Sequence, residues 1–188
     1  MPVISVTLLP GYSSAAESRL VQRVALAARS VIAAPAAGTT VFVQHANTYQ
    51  RAGNVVTAGG PERPDASALV RAFLDRMQER DLPAAERMLA PGFQMTFPGA
   101  APMQQLAQLV QWSRSRYRNV AKDYEQFDEC WTGDGAVVYC FGHLHGTWLD
   151  GTAFEGIRFI DRFAVTDGLI NRQDVWNDMA LHTTPPAS

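Results

Sequence analysis

Apolar residues recur along this chain with two different periods, and the changes of period mark out its elements. The β-branched and apolar run at residues 3–9, stopped by Pro10-Gly11, predicts a strand. Ser14 and Glu17 have the spacing of a capping box. Leu20, Val24, Ala27 or Ala28, and Val31 then recur at helical spacing, with Arg19 and Arg23 on another face. Pro35 ends that helix, because it lacks an amide hydrogen and restricts the residue before it. Residues 39–44 predict a second strand, and residues 53–64, with Gly59-Gly60 and their prolines, read as an irregular tail and linker.

Helical spacing returns at Leu69, Val70, Phe73, Leu74 and Met77. Pro83 suits the first turn of a short second helix carrying Ala85, Met88 and Leu89. Pro102 introduces a third, with Leu106, Leu109, Val110 and Tyr117 on its buried side. Beyond Asn119 the period becomes strand-like, over residues 121–131, 136–148, 152–165 and 169–176. Gly133-Asp134-Gly135, Asp150-Gly151 and Asp167-Gly168 supply the turns between them. Helices followed by consecutive long hairpins predict an α+β domain, with helices packed on one side of a curved antiparallel sheet and a pocket at its concave face. The chain thus divides into a β-α-β unit at residues 1–60, a linker at 61–66, the α+β domain at 67–181 and a flexible tail at 182–188.

Composition narrows the partners. The chain of 188 residues is 47% hydrophobic and 18% charged, enough apolar material for a sizeable core and unlike a disordered chain. No apolar stretch reaches membrane-spanning length and no basic segment precedes one at the start, so we expect a cytoplasmic protein with no membrane partner. Net charge is −2, and the only arginine cluster, Arg114, Arg116 and Arg118, reads as a solvated helix end, so no nucleic-acid partner is expected. Cys130 and Cys140 flank a hairpin turn, where a disulfide is geometrically feasible; buried thiols are the simpler reading. A lone β-α-β unit leaves its sheet edges unpaired and buries little surface, which predicts a homo-oligomer, hexamer or dimer.

The first part resembles the tautomerase superfamily, through Pro2, the strand at residues 3–9, the Pro10-Gly11 turn, the helix and the second strand through Val43. The resemblance implies that Pro2, freed of Met1, is a secondary amine able to act as general base on a carbonyl compound. The family's two substrate-binding arginine positions hold Tyr12 and Phe42 here, neither able to supply a cation. Arg51 is the nearest replacement, with His45 and Tyr49 close in sequence, and Phe42 suggests a neutral or aromatic substrate.

The second part resembles the SnoaL-like and nuclear transport factor 2-like (NTF2-like) family, which includes polyketide cyclases and ketosteroid isomerases. The segments that carry it are Arg80-Asp81-Leu82, Gly142-His143-Leu144-His145-Gly146, Phe159-Ile160-Asp161-Arg162-Phe163 and Asp167-Gly168-Leu169-Ile170. It implies a cone-shaped fold with a ligand cavity between curved sheet and helices. The steroid-isomerase site is mostly absent: its tyrosine falls on Phe73 and its base on Phe97, and only its hydrogen-bonding acid is kept, as Asp161. Asp161 is then either a buried neutral acid donating to a ligand oxygen or a structural partner of Arg158 or Arg162.

His143 and His145 share a strand face with Tyr139 and Phe141. Without a third ligand they read as a cavity-lining polar pair rather than a metal site, with Asp174 able to orient one imidazole. Trp112, Trp148 and Trp176 read as core or pocket wall, and no glycine-rich phosphate loop calls for a cofactor. Two functions follow. Pro2 isomerises a small enol or keto compound, or the second part binds a small hydrophobic molecule while the first builds the oligomer.

Overall fold

A computed structural model describes residues 1–182, which fall into two compact units, Met1–Glu62 and a second from Arg63 onward. In the first unit, β1 (Val3–Leu8) and β2 (Thr40–His45) pair in parallel. A parallel pair needs a long crossover, supplied by α1 (Ser14–Val31). The N-cap of α1 is Ser13 rather than Ser14: its hydroxyl accepts from Ala16 N at 3.1 Å and donates to Glu62 Oε2 at 3.0 Å. Glu17, expected in a capping box, instead pairs with His45 at 2.6 Å.

The two-stranded sheet is covered on one face only. Ile4, Val6, Val41 and Val43 are half-buried, whereas Val3, Ser5, Phe42 and Gln44 are exposed on the other. No residue of α1 is fully buried. A hairpin, β3 (Tyr49–Arg51) with β4 (Asn54–Val56), follows β2 and runs into the segment 53–64 expected to be irregular. Ala52 and Gly53 turn it at positive φ, and an alanine at the first of these positions is not the usual residue of such a turn.

The second unit runs α2 (Ala66–Glu79), α3 (Leu82–Glu86), β5 (Leu89–Thr96), α4 (Leu106–Ser113), β6 (Tyr117–Trp131), β7 (Gly135–Trp148), β8 (Ala153–Thr166), β9 (Leu169–Asn177) and a short α5 (Met179–His182). The strands form one sheet in the order β5-β9-β8-β7-β6, antiparallel except for β5 beside β9. β5 corrects the expectation that Leu89 belongs to a helix. Met95 and Met103 exchange backbone hydrogen bonds of 2.8 and 2.9 Å, so the chain at Pro102 is held against the sheet and α4 begins only at Leu106. Tyr117 accordingly opens β6 and is not part of the helix. Almost all of the tail placed at 182–188 lies outside the described residues.

Burial alternates along β7: Ala136, Val138, Cys140 and Leu144 face the helices, and their neighbours face outward. Val70 and Phe73 of α2 meet this inner face, with Phe73 edge-on to Phe163 at 6.0 Å between ring centres. Register shifts after Tyr124, opposite Gly142, where a Cβ would fall 1.9 Å from Asp123 O. Glycine therefore admits the bulge that bends β6 over the core. No helix among the described residues is long and apolar enough to cross a membrane.

Candidate functional site

The residues expected to form a proline-based site are not brought together within one chain. Pro2 precedes β1 and Tyr12 follows it, so about 20 Å of extended strand separates them. Tyr12 serves its own loop: its hydroxyl accepts from Gly60 N at 3.0 Å, and its ring lies where a Cβ on Gly59 would come within 2.5 Å. The Gly59-Gly60 pair is thus the seat of a tyrosine. Arg51 is exposed at the end of β3, and Phe42 stands opposite Ser5 on the uncovered face of the small sheet.

In the second unit, the period of two correctly grouped Tyr139, Phe141, His143 and His145, but the group faces outward rather than into the cavity. The inner face packs on helices and takes the small and aliphatic members of β7, leaving the bulky and polar ones outside. His143 Nδ1 lies 2.8 Å from Glu125 Oε1, and His145 Nδ1 lies 2.9 Å from Asp123 Oδ2. These pairs are about half-exposed, and no cluster of three metal-binding side chains exists among the described residues. Asp174 orients no imidazole. Register sets it beside Arg162 on that same outer face, where Arg172 (2.9 Å) and Arg162 (3.3 Å) hold it. Desolvation pushes its carboxyl pKa up, yet the Arg172 hydrogen bond and the two cations prevail and hold it below the usual carboxylate range.

Asp161 faces inward and is fully buried. Its partner is neither Arg158 nor Arg162 but Lys122, whose ammonium contacts Oδ2. Gln173 Nε2 donates to the same oxygen at 3.3 Å, and Oδ1 is buried without a partner. Arg158 and Arg162 sit on the opposite face by strand alternation, paired with Asp178 and Asp174. Asp161 is one half of an ion pair rather than an isolated acid. Lys122 escaped notice in the sequence, although it alternates with Val120 and Tyr124, and a lysine two residues from each is a polar interruption of an inward stripe.

Lys122 and Gln173 also line a cavity of about 250 Å³ between α2, α4 and the inner side of β6. Leu74, Met77, Phe97 and Leu109 form its apolar wall, and Tyr117, Asn119 and Tyr124 add polar groups. Trp112 backs that wall, with its ring 5.5 Å from that of Phe97. Lys122 Nζ stands 4.5 Å from the centre of the Phe159 ring, which Tyr124 meets edge-on at 5.7 Å. Burial, reinforced by the Asp161 charge, raises the pKa of the Tyr124 phenol, which stays a neutral hydrogen-bonding group. The same two causes push the Cys140 thiol up to about 12, so it is no nucleophile. Cys130 is exposed and Cys140 buried, and both are free.

The ion pair makes a distinctive stability prediction. Lys122→Met alone strands a buried carboxylate and should destabilise the protein by about 3–5 kcal/mol, whereas Lys122→Met with Asp161→Leu should recover most of that loss. Urea unfolding of the single and double variants reads the difference. Equal losses in both would show that Lys122 contributes packing and not charge compensation.

The comparisons with known proteins agree with this arrangement of sheet and helices. No curated protein matches the chain. Among solved structures, TerC co-crystallised with polyporic acid aligns with a TM-score of 0.53 at 15% identity, covering 62% of this chain and 93% of TerC. An NTF2-like protein from Burkholderia thailandensis aligns at 0.52 and 20% identity, covering 63% of this chain and 96% of its own. Another from Burkholderia pseudomallei, of unknown function, aligns at 0.52 and 17% identity, covering 62% and 92%. At these identities the likeness is one of fold. The SnoaL-like domain family matches residues 70–173, wholly inside the second unit and over more than half of the chain, and the chain belongs to that family.

Proposed function

We propose that the second unit holds a small, oxygenated, largely apolar molecule in its cavity and polarises one ligand oxygen with Lys122 and Tyr124. The observation that carries this reading is the lysine itself, a cation anchored by a buried carboxylate at the edge of an aromatic and aliphatic chamber. Convergent polar groups in an apolar pocket are the usual form of a small-molecule site. TerC, whose fold is similar, was crystallised with polyporic acid, which makes that compound a suitable first ligand here. No carboxylate or imidazole lines the cavity among the described residues, so nothing there is placed to take a proton from carbon. Binding and polarisation are therefore favoured over acid–base turnover.

Trp112, backing the wall, gives the test a signal. Polyporic acid should quench tryptophan fluorescence saturably, and Tyr124→Phe together with the charge-free Lys122→Met/Asp161→Leu pair should each weaken binding by about tenfold, the worth of one charge-assisted hydrogen bond. Binding unchanged in both variants would place the ligand elsewhere.

A second reading concerns the first unit, where the uncovered face of β1 and β2 and their unpaired edges favour self-association. Pro2 as a general base is the narrower proposal for this unit. It needs Met1 removed and, because Tyr12 lies at the far end of β1, groups from a neighbouring copy. Light scattering should show a homo-oligomer that Phe42→Glu dissociates. A monomeric wild type would end both the association and the composite proline site.

A further inference from the structure

Of the 16 lysines and arginines in the chain, Lys122 is the only lysine. Ion pairs elsewhere use arginine or histidine, as in Arg76 with Glu79, Arg158 with Asp178, and Arg162 and Arg172 with Asp174. Charge compensation alone would be served by an arginine, whose planar guanidinium gives a carboxylate two parallel donors. The exception stands on the cavity wall. What a lysine adds there is chemical. A guanidinium stays protonated, whereas an ammonium that gives up a proton becomes a nucleophilic amine.

The surroundings of Nζ suit that change. The Lys122 side chain is 21% exposed and lines the cavity, so a bound molecule reaches it. On its other side the ammonium contacts Asp161 Oδ2, while Oδ1 is buried without a partner, and a carboxylate so placed has capacity to accept a proton. The Phe159 ring, its centre 4.5 Å from Nζ, favours a cation at the same point. No other group on the wall offers a comparable nucleophile among the described residues. The Ser113 hydroxyl donates to Val110 O at 2.9 Å, and burial keeps the phenols of Tyr117 and Tyr124 neutral.

From this geometry we infer that Lys122 forms a reversible imine with a small, apolar aldehyde or ketone held in the cavity. This rests on the binding reading above and narrows its ligand to carbonyl compounds. The ammonium passes one proton to Asp161, and the amine lone pair attacks the carbonyl carbon while the C=O π pair moves to oxygen. A proton then shifts from nitrogen to that oxygen, giving a carbinolamine. Asp161 returns its proton as the C–O bond breaks, water leaves, and the nitrogen lone pair completes the C=N bond. The protonated imine carries the same single charge as the ammonium. Asp161 therefore faces one cation before and after, and no buried charge is left unpaired. Capture stops at that stage, because no carboxylate or imidazole lines the cavity among the described residues to take a proton from the neighbouring carbon.

Sodium cyanoborohydride reduces a protonated imine to a stable secondary amine and so records the event. Wild-type protein incubated with 2-naphthaldehyde and cyanoborohydride should gain a naphthylmethyl group that peptide mapping places on Lys122. The amino terminus is the chain's other amine, and at neutral pH an unassisted lysine reacts more slowly than a free amino terminus because more of it is protonated. Modification of Lys122 ahead of the terminus, saturating with aldehyde concentration, is therefore the expected result. 2-Naphthalenemethanol has nearly the same shape and forms no imine; at about ten times its own Kd it should suppress the Lys122 adduct about tenfold. Lys122→Arg keeps the positive charge and should leave only the amino-terminal adduct. The wild-type map and competition give the answer alone should that variant fail to fold. An adduct confined to the amino terminus, or Lys122 labelling that neither saturates nor yields to the alcohol, would overturn the imine. Calorimetric binding of the alcohol in that case leaves the cavity reading intact. No binding of the alcohol together with no adduct at Lys122 would remove both.

Discussion

A buried carboxylate must have a counter-charge, and the way this fold provides one organises its cavity. Asp161 lies fully inside the sheet–helix core on β8, where an uncompensated charge would cost several kcal/mol. The compensating ammonium comes from Lys122, 39 residues earlier and two strands away across the sheet. That pairing draws the lysine across β7 and over the Phe159 ring, with its stem along the cavity. Gln173 of β9 closes the group from the other side. Three strands are thereby tied at one polar point inside an otherwise apolar core. The same point faces the open volume between α2 and α4.

This arrangement sorts the polar residues of the second unit by face. Charges on the inner face are few and paired across strands, while the outer face carries Asp174, itself buried and held by Arg162 and Arg172, and two pairs in the open, His143 with Glu125 and His145 with Asp123. Exposed pairs of this kind contribute little to stability. The inner pair fixes a cation in a solvent-poor site, where its field on a ligand oxygen is strongest. The two faces therefore differ in how their charges are compensated, even though both bear titratable groups.

Much of the fold was legible because local chemistry announces it. The Asp-Gly turns located the hairpins of β7, β8 and β9, and Pro83 located α3. β5 was not legible, since Pro91 and Gly92 interrupt its apolar run and it follows a helix without a change of composition. The site divided in the same way. A period of two groups His143 with His145 but does not say which face meets the helices; that depends on which neighbours can pack, and Val138, Cys140 and Leu144 decide it. Asp161 stood out as an acid among phenylalanines, whereas its partner did not, because contact between β6 and β8 is set by the order of strands in the sheet. Pro2 and Tyr12, close in sequence, end up far apart because an extended strand runs between them.

In the proposed function Lys122, held by Asp161, directs a ligand oxygen into the cavity of the second unit. The most direct measurement is a crystal structure of the protein with polyporic acid at a resolution that orients the ligand. The ligand is expected inside the cavity, with an oxygen at hydrogen-bonding distance from Lys122 Nζ, about 2.7–3.2 Å, and the Lys122–Asp161 contact retained. A ligand on the outer face beside His143 and Trp176, or a cavity filled by side chains with Lys122 turned to solvent, would contradict it.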